Sequence, residues 1–223
     1  MVKILVFDTE TSDLIKTIIR NSKREKVYPY IIQLSWLIYD TQEEKIESKH
    51  DHIISIPDDV IITKNSEAIH HISKNICKTN GIDITNILPT IIDDMFYVDK
   101  IIAHNIYFDK SVLEKTMERY SFINPFDSIS IRKKMVCTMN NQELIKKCNI
   151  LYTRFDGVKT LKFPKLSELH NILFKDNLLT LHSHKLHNAY IDNLILLRCY
   201  VFYYHNIDIY QKYPRWFSQL THS

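Results

Sequence analysis

Glycine is almost missing from this chain of 223 residues: Gly81 and Gly157 are the only two. Loops that cradle phosphate with bare backbone need several glycines close together, so P-loop and dinucleotide-binding folds are excluded. Cysteine is also sparse. Cys77, Cys137, Cys148 and Cys199 show no paired spacing, which reads as reduced thiols in a cytoplasmic protein rather than a disulfide framework. No apolar run is long enough for a membrane span, because the stretch from Leu194 to Tyr204 contains Arg198 and falls short of bilayer thickness. Asp8 breaks the first apolar run, so no signal peptide is expected either. Charge of one sign is lacking as well. Lys and Arg number 29 and Asp and Glu 26, a net +3, so any affinity for nucleic acid must come from local patches. Candidates are Lys23, Arg24 and Lys26, then Arg132, Lys133 and Lys134, and a scatter from Lys146 to Lys165 that includes Lys147, Arg154, Lys159 and Lys162. Each alone reads as a solvated face. Abundant Ile, Asn and Lys beside scarce Gly and Ala point to an AT-rich genome of the viral kind.

What is present is an ordinary globular balance, 45% hydrophobic and 25% charged, in a chain long enough for one substantial core. Val2 to Phe7 reads as a strand buried on both faces. Residues 15–28 show no period and read as a loop or insertion. Tyr30 to Tyr39 is a second strand, and Lys45 to Ile56 a third, paired with it across Asp40 to Glu43. Ser66 is a candidate cap for a short helix over Ala68 to Ile72. Ile84 to Tyr97 has helical spacing, with Asp83 or Thr85 as cap. A strand at Lys100 to Ala103, a helix from Phe108 to Tyr120 and a strand at Met135 to Met139 follow. Helices over Leu166 to Phe174 and Ala189 to Tyr204 come last. This order predicts an α/β fold with a mixed central sheet of about five strands and helices on both faces. Residues 1–205 form that domain. Residues 206–223 form a C-terminal tail whose Tyr210, Tyr213, Trp216 and Phe217 pack on it or meet a partner.

Three short segments carry the chemistry. In Phe7-Asp8-Thr9-Glu10-Thr11 the two acids are two apart on a strand and share a face. They repel there unless a cation lies between them, and all-oxygen ligands suit Mg²⁺ or Mn²⁺. In His104-Asn105-Ile106-Tyr107-Phe108-Asp109, Asp109 falls in the first turn of a helix. It either caps that helix and meets its dipole, or leaves capping to Asn105 and serves a metal. In His187-Asn188-Ala189-Tyr190-Ile191-Asp192, His187 and Asp192 would lie about 140° apart on one continuous helix. They share a site only if His187 precedes or opens the helix. His182, His184 and His187 together resemble a zinc cluster, but no fourth ligand has suitable spacing.

The three segments resemble the motifs of the DEDDh 3′–5′ exonucleases, the family of bacterial proofreading subunits and related repair enzymes. Weaker echoes fill the gaps: Pro29 to Leu34 resembles a second strand, Ala68-Ile69-His70-His71-Ile72 a His-Gly-Ile turn, and Cys137-Thr138-Met139 and Phe163 to Leu169 later elements. The resemblance covers about residues 2–203. It implies a ribonuclease H-like fold and metal-dependent 3′–5′ hydrolysis of DNA, at single-stranded or frayed 3′ ends, to nucleoside 5′-monophosphates. It further implies two divalent ions, Mg²⁺ or Mn²⁺, held by Asp8, Glu10, Asp109 and Asp192, with His187 as general base. Thr9, Thr11, Leu14, Ile72, His104, Asn105 and Phe108 become candidate contacts to the terminal nucleotide. The implied partners are nucleic acid with a free 3′ end and a polymerase or repair protein. Two departures stand out: Asp13 and His71 occupy positions where many members have glycine. RNA as substrate, or a non-catalytic nucleic-acid or polymerase-binding module, are the alternatives within this fold. A phosphatase of the haloacid-dehalogenase type would need two aspartates two apart, and here the second acid is Glu10.

Overall fold

The computed structural model describes residues 2–20, 22–176, 178–181 and 187–217. His182 and His184 of the histidine cluster, and residues 218–223, lie outside that set. Its centre is a five-stranded mixed sheet built from β1 (Lys3–Thr11), β4 (Ile31–Asp40), β5 (Lys45–Ile53), β6 (Lys100–Ala103) and β7 (Met135–Cys137). The strand order is β5-β4-β1-β6-β7. β4 runs antiparallel to β1 and β5, while β6 is parallel to β1 and β7 parallel to β6. Ile4 to Phe7 are fully buried, as expected of a strand covered on both faces. β1 does not stop at Phe7. Pairing with β4 carries it from Lys3↔Asp40 to Thr11↔Ile31, so Asp8 and Glu10 remain on regular strand, and the register slips only between Glu10 and Thr11.

Helices cover the two faces. α1 (Lys64–His70), α2 (Lys74–Asn80), α3 (Leu88–Tyr97), α4 (Ile106–Arg119), α5 (Ile129–Lys134), α6 (Gln142–Cys148), α7 (Leu166–Leu173), α8 (Leu178–Leu181), α9 (Ala189–His205) and α10 (Ile209–Lys212) follow in chain order. Leu5, Phe7, Trp36, Ile38 and Ile101 pack with α3 and α4. Ile4, Val6, Leu37, Tyr39 and Ile102 pack with α7 and α9, and Ile209 and Phe217 join this second cluster. α9 is buried around most of its circumference. Among the described residues no helix is long and apolar enough to cross a membrane.

Three local expectations change. Thr63, not Ser66, caps α1, accepting from the Ser66 N–H. The segment 84–97 splits into a 3₁₀ turn (Ile84–Asn86) capped by Asp83 and then α3, because Pro89 lacks an N–H and suits a first helical turn. Residues 15–28 are not a loop but a hairpin of β2 (Lys16–Arg20) and β3 (Lys23–Val27). A second hairpin, β8 (Leu151–Thr153) with β9 (Lys159–Leu161), precedes α7. Both hairpins stand in solvent on both faces, so neither has the apolar alternation by which a half-buried strand is read.

One buried cation fixes α9 to its surroundings. Arg198 is 1% exposed. Its Nε donates to Asp208 at 2.8 Å and its Nη2 to Asp176 at 2.6 Å. Nη1 meets His170 Nε2 at 2.9 Å, and the guanidinium lies 3.7 Å from the Phe174 ring centroid. Burial, and then the Arg198 charge, push His170 down to about 4, leaving a neutral ring that can accept from the guanidinium.

Candidate metal centre

The site lies where β1 outruns its parallel neighbour, since pairing with β6 ends at Val6↔Ile102. Asp8 and Glu10 share the face of β1 that also carries Ile4 and Val6, the face covered by α9. The first turn of α9 delivers Asp192 to the same place. One carboxylate oxygen from each of Asp8, Glu10 and Asp192 lies within 4.8 Å of the others. Asp109, buried in the first turn of α4, approaches from the opposite face. The Thr9 backbone N–H and hydroxyl both donate to its Oδ1, at 3.1 and 2.7 Å. Asp109 is therefore tied to the strand between the two acids, and does not stand within the close triad.

The electrostatics are those of uncompensated charge. Burial, then the charges of Asp109, Glu10 and Asp192, hold Asp8 well above the usual carboxylate range. Burial, followed by Asp192 and Asp109, pushes Glu10 up to about 9. Burial raises Asp109 to about 7 against the pull of the two Thr9 hydrogen bonds. Asp192 also rises to about 7 through burial, although the His187 backbone N–H pulls it down. Among the described residues no cationic side chain contributes to any of these shifts. Like charges gathered out of water favour protonation or a bound cation. An all-oxygen donor set fits a hard divalent ion, and opposed ligands on Mg²⁺ lie about 4.2 Å apart. The triad thus closes around such an ion with little adjustment.

α9 begins at Ala189, capped by the Asn188 side chain, which accepts from the Tyr190 and Ile191 N–H groups. His187 precedes the helix, with φ of 66°, which is the arrangement its spacing from Asp192 demanded. Burial, then the neighbouring charges of Lys165 and His71, lower its pKa.

The remaining sequence candidates separate. Thr9, Glu10, Thr11, Leu14 and Phe108 line a cavity of about 130 Å³ beside the acids, and Leu14 is 69% exposed. The Thr11 hydroxyl donates to the Asp13 carbonyl at 2.6 Å. Ile72 does not reach this cavity. It is buried with Ile32, Ile62 and Cys77, and Ile69 of the same segment lines the cavity in its place. His104 has both ring nitrogens engaged, by the Thr138 hydroxyl at 2.9 Å and the Pro164 carbonyl at 3.0 Å, so it braces the loop before α7. Asn105 occupies the N-cap position of α4 in a left-handed conformation, without a capping side-chain bond. His71 ends α1 with φ of 60°, a conformation in which glycine costs nothing and other residues cost about 1–2 kcal/mol.

Two contributors were not singled out from sequence. His70 lines the cavity. Gln33, 1% exposed and paired with Glu10 across the strands, accepts from the Ala189 N–H at 3.2 Å and donates to Asp51 at 2.8 Å. It pins the start of α9 to β4. A lone amide inside the apolar strand Ile-Ile-Gln-Leu-Ser-Trp was the readable signal.

The sheet order and the helices on both faces make this a ribonuclease H-like α/β fold. No protein-family model matches the sequence, and no curated protein matches it. Solved structures do. E. coli Exonuclease I bound to a dT13 oligonucleotide superposes with a TM-score of 0.66 at 16% identity, over 99% of this chain and 44% of that one. Exonuclease I without ligand gives 0.63 at 15% identity, with 99% and 44% coverage. A product-bound Exonuclease I gives 0.60 at 13% identity, with 99% and 46% coverage. This chain spans less than half the length of those proteins.

Proposed function

We propose that this protein is a metal-dependent 3′–5′ exonuclease that removes nucleoside 5′-monophosphates from unpaired 3′ ends of DNA. The observation that carries the reading is the convergence of Asp8, Glu10 and Asp192, with Asp109 and His187 beside them, at the C-terminal end of the central strand of a ribonuclease H-like fold. The oligonucleotide bound to the Exonuclease I neighbour supports DNA as the substrate class.

Two divalent ions would supply an acidified water and charge stabilisation at the leaving 3′-oxygen. Asp8, Glu10 and Asp192 would hold an ion, and Asp109 would complete the set of acids available to a second. Thr9 fixes the carboxylate of Asp109 through two donors. His187, neutral at working pH, takes the proton of the attacking water, as a general base with a pKa near or below neutrality does. Leu14 and Phe108 shape the cavity for the terminal nucleotide. A phosphodiester inside a duplex cannot easily enter so narrow a cavity, so an unpaired end is preferred.

The test is hydrolysis of an end-labelled DNA oligonucleotide with Mg²⁺, beside a matched RNA. Mononucleotides should appear from the 3′ end of DNA, stop with EDTA, and be absent with Asp8→Ala. Digestion that survives chelation removes the metal reading, and preferential digestion of RNA reassigns the substrate.

A further inference from the structure

The β8–β9 hairpin has no core of its own. Leu151, Tyr152, Val158 and Leu161 are all exposed, and Phe155 at its tip is exposed entirely. The turn is tight: Arg154 N–H donates to the Val158 carbonyl at 2.8 Å, Gly157 N–H to the Arg154 carbonyl at 2.9 Å, and Gly157 takes a φ of 81°. Phe155 therefore stands on the corner of the turn, where its ring can cover nothing in its own chain. A two-stranded hairpin without a covered face gains little stability alone, and an aromatic at such a corner adds none.

Its base and its charges give the hairpin a direction. Lys162 N–H closes the base on the Ile150 carbonyl at 2.8 Å. The next residues are Pro164, whose carbonyl holds His104, and Lys165, whose charge acts on His187. The base of the arm is thus bonded to the residue just before the N-cap of α4, the helix whose first turn carries Asp109. Arg154, Lys159, Lys162 and Lys165 interleave with Tyr152, Phe155 and Phe163 along it; Arg154 pairs with Asp156 at 3.2 Å and Lys162 with Glu168 at 2.5 Å, so Lys159 and Lys165 are the cations left to meet phosphate. Cations alternating with exposed rings match an unpaired strand, whose phosphates meet the cations and whose bases stack on the rings.

We propose that the β8–β9 hairpin is a base-stacking arm for the single-stranded nucleic acid entering the carboxylate site, with Phe155 as its main platform. This rests on the nuclease reading, and the test separates the two. Binding of a fluorescein-labelled dT20 is measured by anisotropy in EDTA, and hydrolysis of dT20 and of a dinucleotide is measured in Mg²⁺. Phe155→Ala should weaken dT20 binding about 5- to 150-fold, the range of one base–aromatic stack. Dinucleotide hydrolysis should be unchanged, because so short a substrate fills only the cavity, and the melting temperature should not move. Phe155→Leu should behave like Phe155→Ala. In Phe155→Trp, dT20 should quench the fluorescence of the new indole. Wild-type protein that binds and degrades dT20 while Phe155→Ala does so equally well overturns the arm and leaves the nuclease reading intact. Wild-type protein that neither binds nor degrades dT20 overturns both. A Phe155→Ala protein that loses self-association on gel filtration but keeps its dT20 affinity makes the hairpin a contact between copies and overturns the proposal.

Discussion

Helix α9 carries two buried charge clusters, one at its start and one at its middle, and the two are opposites. Arg198, at its middle, is met by Asp176, Asp208, a neutral His170 and the face of Phe174. Asp192, at its start, meets the His187 backbone N–H and, among the described residues, no cation, only further acids. A buried cation met by counter-charges and hydrogen bonds is architecture: it fixes where elements lie. Carboxylates gathered without a counter-charge are a cost the fold sustains for something that comes from outside. Asking which buried charges lack a partner therefore separates the site from the scaffold on a single helix.

That contrast can be broken by mutation. Asp8→Asn should cut the rate of oligonucleotide hydrolysis about 10³-fold or more, as loss of a metal ligand removes several kcal/mol of transition-state stabilisation. Its melting temperature in EDTA should rise or hold, because a repelling charge is gone. Arg198→Ala should do the reverse, leaving two acids unpaired. Chemical denaturation should show a loss of about 3–5 kcal/mol, with carboxylate chemistry intact in the protein that remains folded. A stable Arg198→Ala protein, or an unstable Asp8→Asn protein, would dissolve the distinction. His187→Ala should lower the rate about 10²-fold, the usual scale for a general base, without weakening Mg²⁺ binding measured by calorimetry.

The two clusters should also respond to pH with opposite sign. Asp109 and Asp192 are raised from 3.8 to about 7 and Glu10 from 4.5 to about 9. Raised acids stabilise the fold below their unfolded values, and that contribution is lost as pH climbs through the folded ones. Metal-free protein should thus lose stability between about pH 4 and pH 9, and Mg²⁺ should restore more of it the higher the pH. His170 is lowered from 6.5 to about 4, so its contribution is present above pH 6.5 and lost on acidification toward 4. Thermal melts across pH with and without Mg²⁺ check both slopes. The smallest effect expected is that of Thr9→Val, which removes the 2.7 Å hydroxyl bond to Asp109 but keeps the backbone donor. It should cost about 1 kcal/mol in transition-state stabilisation, seen as a several-fold drop in kcat/KM.

The acids and the histidine were readable in sequence because each sits at the end of a strongly patterned element, and the 187–192 spacing fixed where α9 must start. The central sheet was readable for the same reason, since β1 and β4 are unbroken apolar runs. What escaped was set by contacts distant in sequence. Ile72 and Ile69 are both apolar residues of one short segment, and only the left-handed turn at His71 decides which of them faces the cavity. Gln33 is a strand residue until the start of α9, 156 positions away, gives its amide a partner. The two hairpins bury no face, so no hydrophobic rhythm marks them.

β1 is hydrogen-bonded to β4 along its length and flanked by β6 at its start. Backbone in the middle of a sheet opens only when the whole molecule opens. The amides of residues 5–9 should therefore be among the last to exchange with deuterium. Protein that has frayed its hairpins, whether by warming or by protease, should still grip its ions. For anyone trimming or grafting this chain, the carboxylate cluster should survive loss of the hairpins in a way it cannot survive loss of the first eleven residues.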